Sequence, residues 1–309
     1  MTDTKQLSLG WHVLRMTARA LYRMQGTGLP RVAESIRRRT ARWAARHPDR
    51  ALIQINNFCG NLVFCCDLSE HMGSQIFFKG GYSGEQLVVL RRLLTPDAVF
   101  VDIGANQGEF TVCAAGCVPD GQVIAFEPVL AVCERLERNI AANQFNNVTV
   151  HSVGLSDINQ DDIPIFGADS EFSDGTQNIG LPTLFSIAGR GTLLAHISLR
   201  RLDDLLPSGQ RVDVMKIDVE GAELAVMKGA AETIRREKPA IIFEANYETA
   251  GAVGYSLRVM YEWLNRQGYQ LHMIGSAGEL YPLNEKNHFC NILAQHPGTP
   301  TAQNRLMQQ

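Results

Sequence analysis

The chain of 309 residues contains no run of about 18 apolar residues, so no segment is expected to cross a bilayer as a helix. Cysteine is scarce. The seven residues (Cys59, Cys65, Cys66, Cys113, Cys117, Cys133 and Cys290) are odd in number and form no C-x-x-C pair. They read as small core hydrophobes of a protein in a reducing cytoplasm. No secretory signal is visible, because His12 and Arg15 interrupt the only early apolar patch. Net charge is small, −3, which argues against a general nucleic-acid binder. The dinucleotide fingerprint G-x-G-x-x-G is missing as well. No metal-ligand motif is present, and no metal site is expected.

What the chain does have is Val99-Phe-Val-Asp-Ile-Gly-Ala-Asn-Gln-Gly-Glu-Phe110. Val99, Phe100, Val101 and Ile103 form a nearly continuous apolar run, as expected of a strand covered on both faces. Gly104 permits a sharp turn, and Gly108 removes a side chain where a ligand could reach backbone at a helix start. Gln122 to Phe126 reads as a second strand, and Glu127 follows it. A carboxylate there can accept both hydroxyls of a ribose. Strand, glycine turn, helix, strand and acid together make a nucleoside-binding half-domain. Glu109 would direct negative charge at a pyrophosphate, which disfavours a nicotinamide-dependent oxidoreductase. Acids near the turn, Asp102 and Glu109, suit a positively charged sulfonium.

Further motifs follow in order: Ala125-Phe-Glu-Pro128, Asn139 to Asn147-Val148, and Met215-Lys-Ile-Asp-Val-Glu-Gly-Ala-Glu223. With Val101-Asp-Ile-Gly-Ala-Asn-Gln-Gly108 they closely resemble the FkbM-type S-adenosylmethionine-dependent methyltransferases, from about Gly81 to Leu293. The resemblance implies a class I Rossmann-like fold, S-adenosyl-L-methionine as cofactor, and methylation of a hydroxyl oxygen on a saccharide, glycolipid or polyketide-like product. It puts Asp102, Gly104, Asn106, Gly108, Glu127, Pro128, Leu155, Ser156 and Asp218 around the cofactor. A catalytically silent nucleoside-binding module remains the alternative.

From Ala98 onward strands and helices alternate. Strands are expected at 98–103, 122–126, 148–153, 212–219, 240–244, 269–274 and 289–294, giving a mostly parallel seven-stranded α/β sheet whose last strand runs antiparallel beside its predecessor. The expected organisation is a basic helical segment (1–50), a substrate-side extension (51–95), a methyltransferase domain (96–295) and a disordered tail (296–309). In the extension, 51–55, 62–66 and 75–78 read as short strands and 82–94 as a helix. Residues 156–195 break the alternation and read as a lid or a disordered excursion, with Asn178-Ile-Gly180 and Thr183-Leu184 favouring the lid.

The first fifty residues hold eleven basic side chains against three acids, which leaves them at +8 and the remainder at −11. Over 9–25, Trp11, Leu14, Ala18, Leu21 and Tyr22 share one face, with Arg15, Arg19 and Arg23 opposite. Such a helix can lie on an anionic membrane surface or pack on the catalytic domain. Peripheral contact with the inner membrane face through residues 9–46 is therefore one expectation, and oligomeric state is not readable.

In open α/β sheets ligands sit at the carboxyl ends of the strands, where strand order reverses. Asp218, Glu220 and Glu244 fall at two such ends. Methyl transfer to an alcohol needs the hydroxyl proton removed. These three carboxylates are the candidate bases, with Asp218 and Glu220 favoured and His196 a weaker alternative. The same acids could instead hold Mg²⁺.

Overall fold

The structure, a computed structural model, describes residues 5–6, 8–24, 26–167, 192–284 and 287–299. Strand β1 (Lys5–Gln6) leads into helices α1 (Leu9–Arg23) and α2 (Leu29–Arg46), which pack on each other. Pro30 sits in the first turn of α2, where its missing N–H costs nothing. Strands β2 (Leu52–Phe58) and β3 (Leu62–Asp67) form an antiparallel hairpin, with β1 parallel to β2. Helices α3 (His71–Lys79) and α4 (Gly84–Leu93) follow. The strand expected at 75–78 is thus a helix. Ile76, Phe77 and Phe78 are β-formers, but all three are buried, and Gly80 in the left-handed region ends the helix. A short apolar run has no period that separates the two conformations.

The main sheet is built from β4 (Val99–Ile103), β5 (Gln122–Phe126), β6 (Val148–His151), β10 (Val214–Ile217), β11 (Ala240–Asn246), β12 (Gln270–Ile274), β13 (Leu280–Pro282) and β14 (Phe289–Gln295). Its order is β13-β12-β14-β11-β10-β4-β5-β6. The five strands from β11 to β6 are parallel, and β14 is antiparallel to both β11 and β12. The seven expected strands are all present, the last of them reversed as expected. The eighth, β13, is a three-residue edge strand.

Between the strands lie α5 (Glu109–Cys117), α6 (Leu130–Ala142), α7 (Leu202–Leu205), α8 (Glu223–Gly229), α9 (Ala231–Glu237), α10 (Tyr247–Val253) and α11 (Leu257–Arg266). The expected strand 148–153 ends early, at His151. Its continuation β7 (Gly154–Leu155) leaves the main sheet and joins β8 (Gln160–Gly167) and β9 (Thr192–Arg200) in a small sheet of order β7-β9-β8. Part of the expected excursion is therefore ordered hairpin. Asn178, Gly180, Thr183 and Leu184 lie outside the described residues, as do 300–309 of the expected tail.

Two hydrophobic clusters line the two faces of the sheet. One runs from Ala18 and Ala44 through Phe77 and Phe78 to Phe100, Val214 and Leu293. The other joins Val101, Met215, Phe243, Met260 and Ile292. The N-terminal helices thus share a core with the main sheet. Arg15 departs from the expected solvent face. It is buried, donating from Nε to the Phe77 carbonyl (2.7 Å) and from Nη1 to Asn57 Oδ1 (2.6 Å), and lies over the Phe77 ring. The expectation of seven reduced cysteines also needs correction, because Cys59 and Cys113 are joined as a disulfide between the hairpin and α5. Their Cα atoms are 5.7 Å apart, a separation a disulfide spans. Among the described residues no helix is long and apolar enough to cross a membrane.

Candidate active site

Chain order reverses between β4 and β10: β4 continues outward to β5 and β6, while β10 continues the other way to β11. A cleft of about 900 Å³, counted with its open mouth, sits at the carboxyl ends of these strands. Gly104, Asn106, Glu127, Pro128, Leu155, Asp218 and Glu220 line it, all seven anticipated from sequence.

Gly104 is required by geometry. Its φ is +75°, and a Cβ there would stand 2.0 Å from the Asp218 carbonyl oxygen. The turn from β4 is thus seated against the end of β10. The chain then passes through Asn106, itself in the left-handed region at φ 51°. The Asn106 N–H donates to Glu127 Oε2 (3.0 Å), and the Val129 N–H donates to Oε1 (2.9 Å). Glu127 is buried, and desolvation pushes its carboxyl up to about 7 against the pull of those two hydrogen bonds and Lys216.

Three of the residues anticipated around the cofactor lie outside the lining. Gly108, at φ +93°, begins α5, and a Cβ there would meet Leu136 of α6 at 2.5 Å. Its small size serves helix packing. Ser156 turns its carbonyl onto Gly229, where a Cβ would come within 1.9 Å, and its N–H donates to the Arg200 carbonyl. Asp102 is wholly buried within β4 and accepts from Thr111 Oγ1 (2.5 Å). Burial raises its carboxyl, and the neighbouring Lys216 opposes that.

Lys216 is central, and sequence reasoning gave it no role. It pairs in register with Asp102 across β4 and β10, and two residues on along the chain stands Asp218. Alternation along a strand puts the three side chains on one face. Lys216 Nζ lies 3.2 Å from Asp218 Oδ2 and 4.0 Å from Asp102 Oδ1, donates to the Gly104 carbonyl (3.1 Å), and sits over the Phe110 ring. Burial alone would lower its pKa, but Asp218 and Asp102 outweigh it and hold the ammonium charged. A lone cation in an otherwise apolar strand was the available signal.

Glu220 occupies a left-handed position (φ 51°), uncommon for a residue with a side chain and typical of functional turns. Burial raises its carboxyl well above the usual range, and the charges of Asp218, Glu244 and Glu223 add to this. Glu223 holds the turn. Its Oε1 accepts from the N–H groups of Val219 (3.2 Å) and Gly221 (3.1 Å), and Tyr255 donates to Oε2. Glu244, near the end of β11, is not part of the lining. Desolvation, then Asp218, push it up to about 7. His196 lies on the exposed side of β9 beside Asp162 (2.7 Å), outside the cleft.

Tyr82 and Ser83 form the outer wall and were legible only as a flexible stretch. Their N–H groups donate to the buried Glu109 carboxylate (2.5 Å from Tyr82; 3.1 Å from Ser83 to Oε2). Glu109, pushed up to about 7 by burial, therefore fixes the cap to the helix after the glycine turn. Behind that turn, Asn139 donates to the Gln107 carbonyl and accepts from the Cys65 N–H, both at 2.8 Å. Among the described residues no group of three or more His, Cys, Asp or Glu side chains is arranged as a metal site.

Residues 102–271 match the family described as the Methyltransferase FkbM domain. AMB antimetabolite synthetase AmbE of Pseudomonas aeruginosa is 27% identical over 281 residues, which is 81% of this chain and 13% of that protein. Methyltransferase sdnD of Sordaria araneosa is 30% identical over 163 residues, 45% of this chain and 62% of that protein. The chain thus spans less than two thirds of the length of these curated relatives. Among solved structures, Methyltransferase FkbM from Methylobacillus flagellatus KT aligns at 18% identity over 66% of this chain and 44% of that one, with a TM-score of 0.43.

Proposed function

The chain belongs to the FkbM methyltransferase family, and from that premise we propose that it transfers a methyl group from S-adenosylmethionine to a hydroxyl of a saccharide, glycolipid or polyketide-like small molecule. The observation that carries this reading is Glu127. Its carboxylate stands on the cleft wall at the end of β5, and each oxygen receives one backbone hydrogen bond. An ionised carboxylate has about four acceptor sites, so capacity remains for a ribose diol. The other residues fit the same cofactor. Phe126, Leu155 and Ile197 give an apolar wall suited to a flat base, and Asp218 gives a carboxylate suited to a sulfonium.

When bound, S-adenosylmethionine supplies an electrophilic methyl carbon. The chain's own residues then have two tasks, aligning the acceptor oxygen and removing its proton. Asp218 is anchored by Lys216 and serves as a fixed negative charge. Glu220 lines the cleft and its carboxyl is raised, so its ionised form is the stronger base. We assign proton removal to Glu220, whose raised carboxyl reflects burial first and then the charges of Asp218 and Glu244.

Calorimetric titration of the full chain with S-adenosylmethionine and with NAD tests the cofactor. Heat with the first and none with the second is expected, and the reverse result overturns the reading. Incubation with hydroxylated acceptors, followed by fragmentation mass spectrometry, tests the bond formed. A methyl group found on nitrogen or carbon removes the hydroxyl assignment.

A further inference from the structure

Helices α1 and α2 use one face for the core. On α1 that face is Trp11, Leu14, Arg15, Ala18, Leu21 and Tyr22, so the apolar face recognised in the sequence is the inner one. The outer face is apolar too. Leu9 is 80% exposed, Val13 56%, Met16 50% and Met24 49%, with exposed Ala20 between them. At 100° per residue these five positions fall within roughly 80° of one another, a continuous ridge directed away from the core. Among the described residues nothing accounts for it, since the helix is already anchored from the other side.

The surroundings of the ridge are basic. His12 and Arg23 are exposed on its flank. Helix α2 exposes Arg31, Arg38, Arg39, Arg42 and Arg46. The one acid in the sequence of that helix, Glu34, is half-buried and engaged by Arg37, Arg38 and Tyr22. Among the described residues no acid neutralises Arg39, Arg42 or Arg46, which present their charge to solvent. An apolar ridge with arginine beside it is the composition of a helix that rests in the headgroup layer of an anionic membrane.

We propose that the outer surface of the α1–α2 pair docks on an anionic lipid bilayer, the ridge entering the acyl boundary and the α2 arginines meeting lipid phosphates. A soluble acidic protein would satisfy the arginines but has no need of the ridge. A second copy of the chain would cover the ridge but bring arginine against arginine. The bilayer satisfies both, and this assignment is independent of the methyl-transfer chemistry.

The test is sedimentation of the full chain with phosphatidylcholine vesicles, with and without phosphatidylglycerol. Pelleting is expected only with the anionic vesicles. It should be lost between 0.1 M and 1 M salt, as the Debye length falls from about 10 Å to about 3 Å. The triple substitution Arg39→Gln, Arg42→Gln, Arg46→Gln should weaken partitioning about a hundredfold, on a scale of about fivefold per charge. Leu9→Ser, Val13→Ser, Met16→Ser should weaken it about tenfold or more while leaving the circular dichroism spectrum that of a folded chain, because at least half of each side chain is already in solvent. Equal pelleting of all vesicles, or full binding by the ridge triple, overturns the proposal. So does light scattering that shows a dimer dissociated by the ridge triple, which assigns the face to self-association.

Discussion

Among the described residues Glu127 is held without a cation in contact, by two backbone N–H groups. Glu127→Gln preserves the shape and one acceptor but removes the charge. The expected result is S-adenosylmethionine affinity lowered by about 1.5–3 kcal/mol, the scale of a charged hydrogen bond, measured by calorimetry on a variant with an unchanged circular dichroism spectrum. Undiminished affinity would remove Glu127 from the cofactor site. Glu220 makes a different prediction. Its carboxyl is raised, chiefly by burial, so the base becomes available only at a pH above that of an ordinary carboxylate, and kcat should increase as pH climbs. Glu220→Gln should lower kcat by roughly 10²–10⁴ and flatten that rise, and a preserved pH profile would mean the proton leaves by another route.

At the scale of elements, buried carboxylates join pieces of chain that lie apart in sequence. Glu109 ties the approach to α4 to the start of α5, and Glu127 ties β5 to the glycine turn. Both are raised by burial to about 7. The folded state therefore keeps protons that the unfolded chain has released, from about pH 4.5 upward. Stability should fall as pH rises from about 5 to about 7 and level off beyond, by up to about 1.4 kcal/mol per pH unit for each group. Glu109→Gln should reduce that slope, as read from urea unfolding at several pH values, and an unaltered slope would contradict the assignment. Arg15 makes the converse point, as a cation inside the core. Arg15→Ala leaves the Phe77 carbonyl and Asn57 without their donor and should cost about 2–4 kcal/mol by the same measurement. That residue also marks a limit of periodicity. A helical wheel separates apolar from charged positions, but it does not reveal that an arginine will find a carbonyl and an amide in the core. The buried strands β4, β5, β10 and β11 were legible because nearly uninterrupted apolar runs bounded by turn residues leave few alternatives. Helix α3 was not, because its short run of Ile and Phe satisfies either period. Glu127, Asp218 and Glu220 could be found because each follows a strand. Tyr82 and Ser83 could not, because they reach the cleft through Glu109, a contact between segments some 26 residues apart.

For the molecule as a whole, the N-terminal helices are structural as well as outward-facing. A chain starting at Ala51 loses Ala18 and Ala44 from the core cluster and the ring contact of Trp11 with Phe77. It should be less stable than the full chain, with a lower urea midpoint, and a midpoint equal to that of the full chain would show the helices to be an independent appendage. The sheet has a further asymmetry. Strand β14 follows β12 and β13 in sequence, yet it sits between β11 and β12 and pairs with both. Without residues 289–295 in place, β11 presents an open edge and β12 and β13 have no link to the rest of the sheet. That edge is where a chain lacking β14 would pair with a neighbour, so docking of β14 is what closes the sheet against edge-to-edge pairing.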